Sequence, residues 1–224
     1  KIGLQIPIFN NLNEINNRMP LLPYIIRPLA YETSFGEFLD IESFLPKRTF
    51  IQVYGYFPSG DLKIDYAVYL GNSPNIGAIS TSSEVQSGID TTNTFLLGGR
   101  AGIRIKDLKV GVSFSFDKVV EFKGNDTLIG LPASTYDRVN RFRLGADFSY
   151  SFGNLSLDAE YIKILYDDNS SLVDFDKKFY YATLSYQFTD DLLGYLTYCK
   201  TQENFIINLA GAPSYSVNVY VPSI

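Results

Sequence analysis

Four arginines in two close pairs are the residues best suited to chemistry in this chain: Arg100 with Arg104, and Arg141 with Arg143. On an extended chain, side chains alternate between faces with a period of two, so each pair shares one face of its segment. A guanidinium keeps its charge and grips phosphate or carboxylate with a planar fork. Rings of Arg or Lys favour anions where they line a narrow passage. Lys106 and Lys109 fall close by. Asp65, Asp147, Asp158 and Glu160 could equally neutralise the arginines from neighbouring strands, since opposite charges pair well there. An anion-selective wall and a set of structural ion pairs are both open at this point, and the nearby acids favour the second.

Other chemistry is thinly provided for. Asp158 and Glu160 share a face roughly 7 Å apart, the kind of carboxylate pair that glycoside hydrolysis uses, but acids at this spacing are common on strands. The chain has no His, which removes the usual general base and the commonest metal ligand. The single Cys199 can form neither an internal disulfide nor a zinc cluster. Asp167, Asp168, Asp174 and Asp176 lack the glycine and spacing of a calcium loop and read as a solvated acidic loop. No catalytic residue, metal site or cofactor is expected, and the chain does not read as an enzyme. A net charge of −5 argues against a nucleic-acid partner.

The elements that must position these residues are strands. In RFRLGADFSYSF, Phe142, Leu144, Ala146, Phe148, Tyr150 and Phe152 alternate with Arg141, Arg143, Gly145, Asp147, Ser149 and Ser151. The same alternation runs through LKIDYAVYLG, FLLGGRAGIRI, LKVGVSFSFD, LSLDAEY and FYYATLSYQF. It loosens at Ile162, Lys163 and Ile164, is weak in LLGYLTYCK, and is blurred in TFIQVYGYF, which is apolar on both faces apart from Gln52. Tyr and Phe, 17 of each, suit strands, and Tyr also suits a boundary between lipid and water.

The connections alternate too. Short turns are expected at PSGD (58–61), KD (106–107), GN (153–154) and TDD (189–191), with residues that tight hairpins favour. Long polar connections are expected at Asn72–Thr94, Lys118–Asn140, Asp167–Asp176 and Thr201–Ser214. An up-and-down membrane barrel sorts its loops this way, short on the periplasmic rim and long on the outer rim. Strands of about ten residues also match a tilted bilayer crossing. No apolar run of about eighteen residues offers a spanning helix. The polar faces mix Gly and Ser with full charges, as a barrel interior does when long side chains need room. The expected fold is therefore all-β, a single antiparallel up-and-down transmembrane barrel over residues 1–224, or a large part of one. Phe142, Leu144 and Phe148 would face lipid, while Arg100, Arg104, Lys109, Arg141, Arg143, Asp147, Asp158 and Glu160 would line the lumen. The alternative is a soluble β-sandwich with the same apolar residues as its core.

The first fifty residues differ. Pro7, Pro20, Pro23 and Pro28 and a cluster of Asn read as a long loop from Phe9 to about Arg48, with a short helical turn around Asn13–Asn17. Both chain ends read as cuts in a longer protein. The run Lys1-Ile2-Gly3-Leu4-Gln5-Ile6-Pro7-Ile8-Phe9, then Asn13-Glu14, then Arg27-Pro28-Leu29-Ala30-Tyr31, with YLGN (69–72) after a GDLKIDYAVY strand, resembles bacterial outer-membrane porins of the phosphate-selective and related general families. That family's glycine after the proline is replaced here by Ile8 and Phe9. The resemblance implies a trimeric channel of roughly sixteen strands, with an inward-folded loop narrowing the pore. The stretch Asn10–Tyr31, with Glu14, Arg18 and Arg27 its charged residues, is then either that constriction loop or an outer loop with no pore contact, and small hydrophilic solutes or ions and outer-membrane lipid are the implied partners. A passive diffusion channel is the expected function. A non-conducting structural or adhesive barrel and a carbohydrate-binding sandwich are the alternatives.

Overall fold

Segment after segment, the alternating stretches pair with the next in sequence. In a computed structural model of the chain, residues 2–5, 7–11, 49–72, 95–119, 139–167, 173–190, 192–207 and 215–223 are described. They form one ten-stranded antiparallel sheet in sequence order: β1 (Ile2–Gln5), β2 (Thr49–Ser59), β3 (Leu62–Asn72), β4 (Phe95–Ile105), β5 (Leu108–Val119), β6 (Val139–Phe152), β7 (Leu155–Asp167), β8 (Val173–Thr189), β9 (Leu192–Ile207) and β10 (Tyr215–Ser223). The ladders run from β1 to β10, and none among the described residues joins those two strands, so the described sheet is open rather than closed.

The hairpin turns are local chemistry. Gly60, Lys106 and Gly153 each open a two-residue turn with positive φ, at 62°, 50° and 56°. Glycine takes this left-handed conformation without steric cost, whereas Lys106 adopts it against its Cβ. The turns at 106–107 and 153–154 fall where their sequences place them. At the β8–β9 hairpin the register slips between Gln187 and Thr189. There the Gln187 amide donates to the carbonyls of Thr189 and Asp190 at 2.5 and 3.3 Å.

Several expected boundaries need correction. Val173–Asp176 belong to β8 and Thr201–Ile207 to β9, so two of the expected long connections shrink. Lys118, Val119, Val139 and Asn140 are likewise strand residues, paired with one another across β5 and β6. What lies between the strands at this end of the sheet falls at 73–94, 120–138, 168–172 and 208–214, outside the described residues, as does 12–48 with the expected helical turn at Asn13–Asn17.

Burial sorts the two faces in an unusual direction. On one face Arg141, Arg143, Asp117, Ser115 and Gln52 are fully buried. On the other, Val112 is 60% exposed, Leu196 64% and Val68 54%. The polar face is thus the inner one. It is also concave, because one short piece of chain touches strands far apart in the sheet. Ile8 donates its backbone N–H to Gln52 Oε1 on β2 at 3.1 Å, while the Asn10 side chain donates to the Tyr161 carbonyl on β7 at 3.4 Å. In a flat sheet those strands would lie roughly 24 Å apart, whereas residues two apart span roughly 7 Å. The described residues supply a single sheet, with no second layer over the apolar face.

Candidate functional site: the buried polar face

Charge on the inner face is arranged in two ladders of ion pairs. Arg100 holds Asp147 on β6 with a two-pronged grip, Nε to Oδ2 at 3.1 Å and Nη2 to Oδ1 at 2.7 Å. Its third nitrogen, Nη1, reaches Asp65 on β3. Asp65 also accepts from Arg104 Nε at 3.0 Å, so the first ladder reads Arg104, Asp65, Arg100, Asp147. In the second, Asp117 on β5 takes a fork from Arg141, at 2.9 and 2.7 Å, and a further bond from Arg143 Nη1 at 3.1 Å. Charge-assisted bonds of this kind are short and strong, and burial makes the loss of either partner costly.

The span of the first ladder depends on an absent side chain. Arg100 lies on β4 and Asp147 on β6, with β5 between them. Gly111 on β5 is the residue beneath the bridge: a Cβ there would meet Arg100 Nη2 at 2.3 Å and Asp147 Oδ2 at 2.6 Å. Gly98 leaves room in the same way for the Tyr69 ring, whose hydroxyl donates to the Phe114 carbonyl at 3.3 Å. The glycines of the polar faces therefore serve their large neighbours, as their mixture with charged residues leads one to expect.

The chain after β1 enters this face. Pro7 lies just beyond the last paired residue of β1, and proline has no N–H to extend a ladder. Ile8, Phe9, Asn10 and Asn11 are all buried. The Asn10 backbone N–H donates to Ser113 Oγ on β5 at 2.9 Å, and the Lys109 ammonium donates to Asn11 Oδ1. Gly145 on β6 makes space for the strap: its Cβ would lie 2.1 Å from Asn10 Oδ1 and 2.9 Å from Phe9 Cε1. Asn10 has φ of 56°, a conformation Asn tolerates better than most residues.

A third feature is apolar. Along β7 and β8 the inner face carries Ile162, Ile164 and Phe179, all fully buried, with Tyr181 beside them. Phe179 and Tyr181 rings lie 6.1 Å apart. Lys177 on the same face has its ammonium 5.9 Å from the Tyr166 ring.

All eight residues expected to line the interior lie on this one face. Arg100, Arg141, Arg143, Asp147 and Glu160 are buried there, and Arg104, Lys109 and Asp158 are partly exposed. The arginine pairs do come together, on strands that flank β5, but as partners of carboxylates. Of the acids expected to neutralise them, Asp65 and Asp147 do so. Asp117 does as well, and sequence reasoning missed it, because its place opposite Arg141 depends on a register set across a long connection. The strap residues Ile8, Asn10 and Asn11 and their partners Gln52 and Ser113 were also missed. The Asn-rich composition of that stretch was the only signal. Glu14, Arg18 and Arg27 lie outside the described residues. Asp176 is not a loop residue: it sits on β8 and takes two bonds from the Asn204 amide, at 2.9 and 3.1 Å. Cys199 is buried. Among the described residues no group of three acids or Cys is placed to hold a metal.

No family model and no curated protein matches this chain.

Proposed function

We propose that the chain is the wall of a bacterial outer-membrane β-barrel that acts as a passive diffusion channel for small hydrophilic solutes, with a preference for anions. One observation carries this reading: buried arginines and aspartates occupy the concave face, and exposed Val, Leu and Phe occupy the convex one. A soluble protein leaves only small apolar patches in water, whereas a lipid-facing barrel needs a continuous apolar outer band. The edges at β1 and β10 must then be paired in the membrane, since lipid offers edges no partner.

The anion preference rests on a cationic row rather than on the buried arginines. Lys63, Arg104 and Lys109 stand directly opposite one another on β3, β4 and β5, on the inner face near the short turns. Arg104 and Lys109 are partly exposed and Lys63 is exposed, so a passing anion can meet them. The Ile8–Asn11 strap narrows the interior.

Planar-bilayer recording tests the proposal. Discrete current steps are expected, with a reversal potential in a salt gradient that indicates anion selectivity. Neutralising Lys63→Gln, Arg104→Gln and Lys109→Gln together is expected to reduce that selectivity. A folded, membrane-inserted protein with no current would favour a non-conducting structural barrel. That second reading draws support from how fully Phe9, Arg141 and Arg143 fill the inner face. Barrels of about eight strands are filled by side chains and those of about sixteen hold a channel, so ten strands alone do not choose.

A further inference from the structure

The apolar outer face does not run straight across the sheet. On β2 to β7 one row of directly opposed residues is apolar throughout: Ile51, Leu70, Leu97, Phe116, Phe142 and Leu165. The same row continues as Asp176 on β8 and Asn204 on β9. On β8 the outward apolar run begins nearer the short turns, at Tyr180, and on β9 nearer still, at Tyr198. Followed strand by strand, the row of Tyr198 leads back to Ile64 on β3, six residues from Leu70. Between β3 and β9 the edge thus shifts by about one residue per strand, a slant of roughly 35° for a rise of about 3.4 Å per residue and strands about 4.8 Å apart.

The short turns slant with it. The β2–β3 and β4–β5 turns follow a single row, in which Ser59, Leu62, Ile105 and Leu108 stand opposite one another. That row passes through Tyr150 on β6 and reaches Leu184 on β8, yet β8 runs five residues further, to Thr189, before it turns. The β6–β7 turn lies between these extremes, after Phe152, two residues beyond Tyr150. The upper limit of the apolar face and the line of the turns therefore run parallel, although one is set by side-chain chemistry and the other by chain reversal. A flat bilayer leaves that mark on strands that cross it at a tilt, and membrane barrels tilt their strands by about 35–45°.

Beyond the slanted edge the outer face is of the kind that meets water. Lys178 and Asp176 lie past Tyr180 on β8, and Lys200, Gln202 and Asn204 lie past Tyr198 on β9. These side chains hold one another: Lys178 pairs with Asp176 at 3.2 Å, while Asn204 donates to Asp176 at 2.9 Å and accepts from Gln202 at 3.0 Å. β7 is transitional, with Lys163 between Tyr161 and Leu165. The inner face reverses at the same place, where Ile162, Ile164 and Phe179 are fully buried. Polar residues outward and apolar ones inward make the pattern of a sheet solvated on one side. Resting on the membrane reading above, we propose that the surface in contact with acyl chains ends at Tyr161, Tyr180 and Tyr198, and that β8 and β9 continue past it as a sheet standing in water above the bilayer. Tyr prefers the boundary between acyl chains and water, and Tyr161 is directly opposite Tyr180, whose ring lies 6.3 Å from that of Tyr198. On the lipid side of the Tyr row, Leu157, Leu184 and Leu196 are all exposed. Strand length agrees: β8 has 17 residues and β9 has 16, against 11 in β3 and in β4. A tilted crossing needs only about 9–11.

Two single substitutions on the same face of β9 test this, Leu196→Trp below the edge and Gln202→Trp beyond it, in a chain that has no other Trp. Each variant is reconstituted into phosphatidylcholine vesicles and its emission is quenched in turn by bromine on the acyl chains and by acrylamide in the water. The bromines should remove at least about twice as large a share of the emission from Leu196→Trp as from Gln202→Trp, with the order reversed for acrylamide. Equal bromine quenching of the two would overturn the proposal and extend the lipid surface to the end of the strand, leaving the membrane reading intact. A Gln202→Trp emission that neither quencher reaches would also overturn it, since that face would then be covered by protein. If either β9 variant fails to fold, Leu184→Trp and Lys178→Trp on β8 pose the same comparison. Bromines that quench none of the variants, with a protein that stays soluble without detergent, would instead sink the membrane reading itself, so the two failures are distinguishable.

Discussion

Gly111 lies directly beneath the bridge from Arg100 to Asp147, so close that a Cβ at residue 111 would stand 2.3 Å from the guanidinium. One missing side chain thus lets a buried charge on β4 reach its counter-charge on β6. Gly111→Leu should displace Arg100 from Asp147 and force repacking, at a cost of about 3 kcal/mol or more. Urea unfolding in micelles would measure it. A change below about 1 kcal/mol would mean that Arg100 has another equally good place to go.

Asp117 serves two buried guanidinium groups at once. Asp117→Asn keeps the shape but removes the charge that Arg141 and Arg143 share. The loss should be about 3–5 kcal/mol, the cost of breaking a buried ion pair from one side. The same unfolding experiment reads it, and the effect should exceed that of Asp158→Asn on the partly exposed part of the same face.

Lys106 holds φ of 50° in the β4–β5 turn, where the equivalent turns at Gly60 and Gly153 use glycine. Lys106→Gly should therefore stabilise the fold by about 1 kcal/mol. A loss of stability would show that the Lys106 side chain makes a contact worth more than the backbone strain.

The fold and the inner face were unevenly legible in the sequence. Strand identity and facing were readable wherever one face is polar and the other apolar, as in β4 to β6, because the period of two shows directly. The pattern failed on β7 and β8 beyond Tyr161, where the inner face turns apolar at Ile162, Ile164 and Phe179 and the outer face turns polar at Lys163 and Lys178. There the alternation shifts phase in mid-strand, so no single facing fits the whole run, although the strands continue. The pairing of Asp117 with Arg141 was not readable, because a long connection leaves register free. The strap at Ile8–Asn11 was hidden for another reason: its contacts are to residues up to 151 positions away, and short-range pattern cannot encode them.

The strap makes a functional prediction as well. Phe9 is fully buried on the inner face, and Gly145 is the residue that gives it and Asn10 room. In a conducting barrel, Phe9→Ala should raise single-channel conductance, since it removes a ring from the interior. Unchanged conductance would place the narrowest point elsewhere.

In the proposed barrel the face bearing Val112 meets lipid. The chain has no Trp, so a single Val112→Trp change gives an unambiguous reporter. Val112 is 60% exposed and lies between Ala101 and Ala146, which leave space for an indole. Fluorescence would be recorded after reconstitution into phosphatidylcholine vesicles with and without bromine on the acyl chains. Blue-shifted emission, strongly quenched by the brominated chains, is the predicted result. Emission that the bromines leave unquenched, from a protein that remains soluble without lipid, would contradict it and make that face a surface for protein rather than for membrane.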